Sequence, residues 1–329
     1  AREQGSSLGV GLARRLVGVG VRLHASPRLR MSIVQHRLTF FLNSAARKVS
    51  TAQLAPKLER WANQHGIDAQ FVSPALSDLP QVVAQCLTNG RLPVAVGGDG
   101  TVHQLAQHVP AGTTFATLPL GSGNDFASAL GWAKSLDSAL EQLLTAQPVT
   151  LDCLQVSQDS SHRFTGLSVS GWGFASDVNR EANASSVPGP LQYPVGVFQA
   201  LAKGGTRAVR LTFDDDTVVE DRFWTVLVCN TSMAGGGMRF APEADPQDGV
   251  MEVLALGDVS TLGLVGLLGR VYLAKHLSHP QVNLWKCRSL TIEPLEEQPG
   301  PWSPLLAEGD SYDGAAKTRF DLQSNGISV

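Results

Sequence analysis

Two glycine-rich turns, each closing a short apolar run, constrain this chain more than any other feature. The first is Val94-Ala-Val-Gly97-Gly98-Asp99-Gly100-Thr101, and the second is Leu118-Pro-Leu-Gly121-Ser122-Gly123-Asn124-Asp125-Phe126-Ala127. Short apolar runs bounded by turn residues read as buried parallel strands, and a helical pattern follows each turn. In open α/β sheets, ligands lie outside the carboxyl ends of the strands, so two such turns on successive strands converge on one crevice. Gly97, Gly98 and Gly100 let the backbone approach a phosphate and tolerate positive φ; Gly121 and Gly123 permit a second tight turn. A helix N-terminus adds unpaired N–H donors. The Asp99 carboxylate suits a phosphate site if a divalent cation stands between them; the plainer alternative makes Asp99 a helix cap. Ser122, Asn124 and Asp125 offer hydrogen bonds to a ribose, a phosphate or a substrate hydroxyl, and Asn124 or Asp125 would equally suit a cap.

The surrounding pattern alternates strand and helix. Apolar runs at 38–42, 67–72, 92–96 and 114–118 read as strands. Residues 51–65 carry Leu54, Leu58, Trp61 and Ala62 at helical spacing, with a capping box at Ser50 and Gln53, and with Pro56 predicting a kink or a late start. Asp78 is placed to cap a helix through Val82, Val83 and Leu87. The order predicts a doubly wound parallel sheet to about residue 148. After Pro148 the runs 150–157, 163–170, 209–213, 218–221, 225–230, 250–256 and 289–293 read as strands between Gly, Asp and Pro turns, with one long helical pattern at 261–277. That texture predicts a second, mostly antiparallel β domain; 185–190 and 299–304 read as surface loops.

Composition excludes several classes. The 329 residues fit about two domains, and with 43 % apolar and 17 % charged residues the chain is not intrinsically disordered. Cys86, Cys153, Cys229 and Cys287 lie far apart, so neither a zinc cluster nor a disulfide framework is indicated, and a reducing, cytoplasmic setting is the simpler expectation. The apolar run 262–274 is interrupted by Arg270 and is too short to span a bilayer. Residues 1–30 hold six arginines and one glutamate, so the rest of the chain is more acidic than the overall charge of −3 and offers no basic footprint for nucleic acid. This first segment reads either as transit-like or as sequence upstream of a start at Met31, and in both readings it stands apart from the fold.

GGDGT after a strand, followed by PLGSGNDFA, resembles the bacterial diacylglycerol-kinase-like lipid kinases, a family that also contains sphingosine and ceramide kinases. The resemblance runs over roughly residues 36–325. It continues through Asn230-Thr-Ser-Met-Ala-Gly-Gly-Gly237, Ala241-Pro242, Asp248-Gly249-Val250-Met-Glu-Val253, the stretch 276–280 and the acidic turn Glu308-Gly309-Asp310. It implies an ATP-binding α/β domain at 36–148 with an NAD kinase-like sheet, and a β-sandwich-like lipid-substrate domain at 149–329. It implies ATP and Mg²⁺ as cofactors and transfer of the γ-phosphate to a hydroxyl of diacylglycerol or a similar lipid. The lipid would be met at the membrane surface by transient peripheral contact, although no amphipathic anchor stands out; monomer and homodimer both stay open.

The resemblance also assigns roles. Nucleotide contacts fall to Asn43, Ser44, Ala45, Ala46 and Arg47, where the family's Asn-Pro-x-Ser-Gly loop has lost its Pro and Gly, and to Ser73. They continue through Gly97, Gly98, Asp99, Gly100, Thr101, Val102 and His103, and through Gly121, Ser122, Gly123, Asn124 and Asp125. His103 and Gln104 occupy the positions of the family's Asn-Glu pair. A structural metal is expected at Asp245, Asp248 and Val250, where Pro246 and Gly249 bend the chain toward an oxygen cage; the plainer reading is a simple β-turn. In Glu308-Gly309-Asp310 the family's Asp-Gly-Glu has its two acids exchanged, which makes Asp310 the general base on a side chain one methylene shorter, with Glu308 in support. The altered loops keep two alternatives open: a catalytically weakened nucleotide- or lipid-binding homologue, and an NAD kinase-like enzyme.

Overall fold

The computed structural model describes residues 37–43, 51–185, 192–214, 216–295, 305–307, 310–312 and 317–329. The arginine-rich segment 1–30, Ser44 to Arg47, the cap residue Ser50, Glu308 and most of the two expected surface loops lie outside these residues.

Strand β1 (Arg37–Leu42) pairs in parallel with both β2 (Asp68–Val72) and β3 (Leu92–Gly97), and β3 pairs in parallel with β4 (Ala116–Pro119), giving the order β2-β1-β3-β4. Successive side chains of a strand point to opposite faces, and here both faces are apolar. Leu38, Phe40, Leu42, Val94 and Val96 pack against helix α1 (Thr51–Gln64) and the later helix α5 (Leu136–Thr145). Phe41 and Ala95 pack against α2 (Leu79–Thr88) and α3 (Asp99–Ala106), together with Phe126 of the short α4 (Asp125–Ala129). The strand order reverses between β1 and β3, so Asn43 and Gly97 leave the sheet side by side at a switch point.

Two local expectations are corrected. Pro56 lies inside α1, so the helix starts at Thr51 rather than late; the proline forgoes one intrahelical bond, and the apolar face of Leu54, Leu58 and Trp61 carries the helix through. Asp78 is the N-cap residue of α2 but makes no side-chain cap bond. Its carboxylate accepts from Ser77 Oγ instead, and proline in the first turn removes a donor that a cap would serve.

The second half forms two six-stranded antiparallel sheets. One has the order β6 (Ser161–Gly166), β5 (Thr150–Gln158), β16 (Thr318–Ser328), β13 (Ser289–Pro294), β8 (Arg207–Phe213), β9 (Val218–Phe223). The other runs β12 (Val282–Cys287), β11 (Met251–Leu256), β10 (Thr225–Cys229), β7 (Val169–Gly173), β14 (Leu305–Ala307), β15 (Asp310–Tyr312). Leu154, Phe164, Leu211, Leu290 and Phe320 of one sheet meet Trp172, Val226, Val228, Val253 and Leu305 of the other in a single core. The run 163–170 is two strands rather than one, because the chain turns at Leu167 and Ser168 to change sheets. Among its described residues the second half also holds three α-helices rather than one: α6 (Phe174–Ala184), α7 (Gln192–Lys203) and α8 (Thr261–Val271). All four cysteines are buried and none is in a disulfide, and no helix among the described residues is long and apolar enough to cross a membrane.

The last strand returns to the first layer. Phe115 N–H donates to Ser328 C=O, Thr114 Oγ1 donates to Ser328 Oγ, and Ile327 and Val329 are buried with Val102, Phe115 and Leu151. The sheet's other edge is fixed by Arg91. Its buried guanidinium donates to the Asp68 carboxylate at 2.7 Å, to Thr39 Oγ1 at 3.1 Å and to Leu38 C=O at 2.9 Å, joining β2 to β1. Arg91, through its hydrogen bond, holds the Asp68 carboxyl below the usual carboxylate range. A lowered carboxyl pKa contributes stability that is present above the unfolded value and lost as pH falls. Arg91→Ala is expected to lower the unfolding free energy by about 2–3 kcal/mol, read as a lower urea midpoint at unchanged slope, and the gap to wild type should narrow on acidification through the carboxylate range.

Candidate active site

The two glycine turns touch backbone to backbone. A Cβ on Gly121 would lie 2.3 Å from Gly98 Cα, and one on Gly97 would lie 2.2 Å from Thr101 Oγ1. Leu120 and Gly121 N–H both donate to Gly97 C=O, at 2.8 and 3.2 Å. Asn124, itself left-handed at φ 59°, closes the second turn: its Oδ1 accepts from Gly121 N–H and its Nδ2 donates to Gly121 C=O. None of Gly97, Gly98, Gly100, Gly121 and Gly123 has positive φ. Close approach rather than left-handed backbone sets glycine at 97 and 121, with Gly98 tightly packed against Gly121, which corrects the conformational argument made from sequence. Gly100 is different: a Cβ there would meet nothing within 4 Å.

Two carboxylates tie the turns together. Asp99 sits in the first turn of α3, where it does not cap its own helix; Oδ1 accepts from Phe126 N–H at 3.0 Å and so caps α4. Burial pushes the Asp99 carboxyl up, against the backbone N–H donors of Phe126, Asp125 and Asn124. Asp125 is buried and accepts from Gly236 N–H at 2.6 Å and Gly237 N–H at 2.7 Å. At φ 83° and 94° these two residues do need glycine. The two turns of the α/β layer are therefore joined to the Asn230–Gly237 stretch of the sandwich. At the end of β1, Asn43 Nδ2 donates to Thr101 Oγ1 at 3.0 Å and Ser73 Oγ donates to Leu42 C=O at 2.8 Å, so Ser73 pins β2 to β1. Ser122 is exposed at the tip of the second turn.

Strand β15 is held by side chains of α3, α6 and β6. Asp310 Oδ2 accepts from Gln104 Nε2 of α3 at 2.8 Å. Ser311 Oγ accepts from Asn179 Nδ2 of α6 at 2.8 Å. Tyr312 Oη lies 2.8 Å from His103 Nε2, and its ring stacks on Phe164 at 4.4 Å. A carboxylate of the sandwich is thus carried to the helix that opens at the glycine cradle. His103 is fully buried in this contact, neither exposed nor aimed at the cradle, and Val102 is a core residue packed with Leu105 and Phe115. Gln104, Asn179, Tyr312 and the Gly236–Gly237 donors were not identified as site residues from sequence. Gln104 was visible only as a departure from the family's pair, and nothing local marks Asn179.

At the turn where a structural metal is expected, each aspartate already accepts a backbone N–H. Asp245 Oδ1 accepts from Gln247 N–H and Asp248 Oδ1 from Val250 N–H, each closing its own turn. The Lys286 ammonium lies 3.1 Å from buried Glu252 and 3.8 Å from Asp248, supplying positive charge at the turn. Among the described residues no group of three or more His, Cys, Asp or Glu could hold a metal ion.

The structure thus joins a parallel α/β layer with a glycine cradle to an antiparallel sandwich whose β15 is hydrogen-bonded to the helix leaving that cradle. Residues 37–156 match the model of the diacylglycerol kinase catalytic domain, and residues 168–321 match that of the YegS C-terminal NAD kinase beta sandwich-like domain. In both halves the chain is therefore similar to the diacylglycerol kinase-like lipid kinases. It is 27 % identical over 277 residues to "Probable lipid kinase YegS-like" of Shewanella frigidimarina, covering 80 % of this chain and 84 % of that protein. It is 26 % identical over 251 residues to a diacylglycerol kinase of Mycobacterium tuberculosis, covering 74 % and 79 %. A solved structure of a diacylglycerol kinase from Bacillus anthracis superposes with a TM-score of 0.63 at 18 % identity, over 89 % of this chain and 96 % of that one.

Two outcomes test the cradle. Gly121→Ala is expected to destabilise the fold by about 1–3 kcal/mol through overpacking against Gly98, measured by denaturant unfolding. A carboxyl whose pKa is raised by folding favours the protonated form, so ionised Asp99 costs stability as pH rises above its unfolded value. Asp99→Asn keeps the acceptor for Phe126 N–H, and its melting temperature should match or exceed wild type at pH 8.

Proposed function

We propose that this chain transfers the γ-phosphoryl group of ATP to a hydroxyl of diacylglycerol or a similar lipid, with Asp310 as the general base. The observation that carries this reading is the Gln104–Asp310 hydrogen bond, which sets a carboxylate of the sandwich beside the helix rising from the cradle. Two features support ATP at that cradle. The space beside Gly100 is open, and the first N–H groups of a helix lack intrahelical partners and favour anions.

The reaction balances on groups at hand. The lipid O–H gives its proton to the Asp310 carboxylate, its oxygen bonds to the γ-phosphorus, and the bond from that phosphorus to the β-bridging oxygen breaks, leaving ADP. Catalysis of phosphoryl transfer is mostly positioning and charge neutralisation. Gln104 orients the base, and Asp99, Asn124 and Asp125 hold the two turns in register. Mg²⁺ arriving with the nucleotide would neutralise phosphate charge. Such an ion commonly uses one or two carboxylates plus phosphate oxygens, and Asp99 is the carboxylate of the cradle available to it. The relatives named for lipid substrates support a lipid acceptor.

Transfer from labelled ATP to a panel of diacylglycerol, phosphatidylglycerol and NAD tests the reading. Labelled lipid is expected; labelled NAD would assign the NAD kinase-like alternative, and no product would assign the weakened homologue. Asp310→Asn should lower kcat by about 10²–10⁴ with ATP affinity unchanged, while Asp310→Glu restores the family's side-chain length and should retain activity. Gly100→Val should keep the fold and lose nucleotide binding by calorimetry, because its side chain would fill the space assigned to the phosphates.

A further inference from the structure

We infer that the outward face of α8 and the residues that follow it form a docking surface for an anionic lipid bilayer, placed at the rim of the active-site cleft. The inference rests on the lipid-kinase reading for its purpose, but its observations are independent.

Scattered exposed apolar side chains are ordinary; a cluster is not. Ten large apolar side chains are exposed among the described residues, and four of them fall within residues 262–273. Leu262 is 86 % exposed, Leu273 66 %, Tyr272 51 % and Val265 49 %. On the inner face of the same helix Leu264 and Leu267 are buried against Trp224 and Leu256, and Val271 is buried as well. Positions 262, 265 and 272 recur at helical spacing on the opposite side, and the helix start is fixed by Ser260, whose Oγ accepts from Gly263 N–H.

Charge indicates what covers this face. No acidic residue occurs between Asp258 and Glu293, in a chain whose net charge is −3. Arg270 and Lys275 are exposed beside Tyr272 and Leu273, as is Arg239, whose N–H donates to Val271 C=O. Apolar side chains with a tyrosine, edged by cations, suit the interface of a membrane with anionic headgroups. A second copy would meet this acid-free face with the same cations and no counter-charge.

The location fits a route to the cleft. Asp125 holds Gly237 N–H, and Arg239, two residues on, is bonded to the end of α8. Two residues span at most about 7 Å, so Tyr272 and Leu273 lie next to the segment that the cradle itself grips.

Flotation with phosphatidylcholine vesicles, with and without phosphatidylglycerol, tests the surface. The wild-type chain should bind the anionic vesicles, less so at high salt or without phosphatidylglycerol. Leu262→Ser and Leu273→Ser should each weaken binding about tenfold, and the double variant more, while transfer to a water-soluble short-chain diacylglycerol stays at the wild-type rate. Circular dichroism and melting identical to wild type would establish that the variants fold. Absence of wild-type binding, a double variant that floats as wild type does, or a dimer by sedimentation that the double variant dissolves would each overturn the inference. If no lipid is phosphorylated, the kinase reading fails, and flotation still reports on the surface by itself.

Discussion

The buried Asp125 carboxylate is the contact on which the active-site geometry depends. A desolvated carboxylate is costly unless it is given donors, and Asp125 receives two backbone N–H groups from Gly236 and Gly237, at 2.6 and 2.7 Å. Those donors converge because both glycines take backbone that other residues rarely adopt. Asp125 also begins α4, which Asp99 caps from the neighbouring turn, and the two turns meet at Gly98 and Gly121. Three glycine-rich segments from distant parts of the chain are thus locked through two carboxylates, and the sheet that carries Asp310 is held in register with the cradle.

The departures from the family pattern have a shared structural basis. By the sequence resemblance, His103 and Gln104 stand where an Asn-Glu pair is expected, and Asp310 where a glutamate is expected. The structure brings these positions together, with Gln104 donating to Asp310 and His103 meeting Tyr312. The Gln104 amide supplies a donor to the Asp310 carboxylate, where a second carboxylate at 104 would repel it. Changes that look like separate losses along the sequence occupy one cluster in space.

Much of the first layer was legible in the sequence because its strands are short and apolar and its helices amphipathic, as in α1 with Leu54, Leu58 and Trp61. The location of the cradle was legible for the same reason, but the role of its glycines was not, since close approach depends on a partner turn that local sequence does not reveal. Helices α6 and α7 were missed on opposite grounds. α6 is largely polar, and α7 contains Pro194 and Gly196, both of which weaken a helical reading. Gly196 has a tertiary cause: a Cβ there would lie 2.8 Å from Ala182 of α6. His103 reads as a surface residue until Phe164 and Tyr312 arrive to bury it.

The return of the last strand has a consequence for how the polypeptide comes together. Thr114 and Ser328 are 214 positions apart, yet they share a hydrogen bond, and Ile327 and Val329 complete an apolar cluster otherwise made by residues 41–167. During synthesis the nucleotide layer therefore emerges with part of its core uncovered and cannot seal it until the sandwich has been translated. Closure over such a long loop is slow, so the early intermediate should be aggregation-prone and a client for chaperones, and the two halves should mature as one cooperative unit rather than as beads on a string.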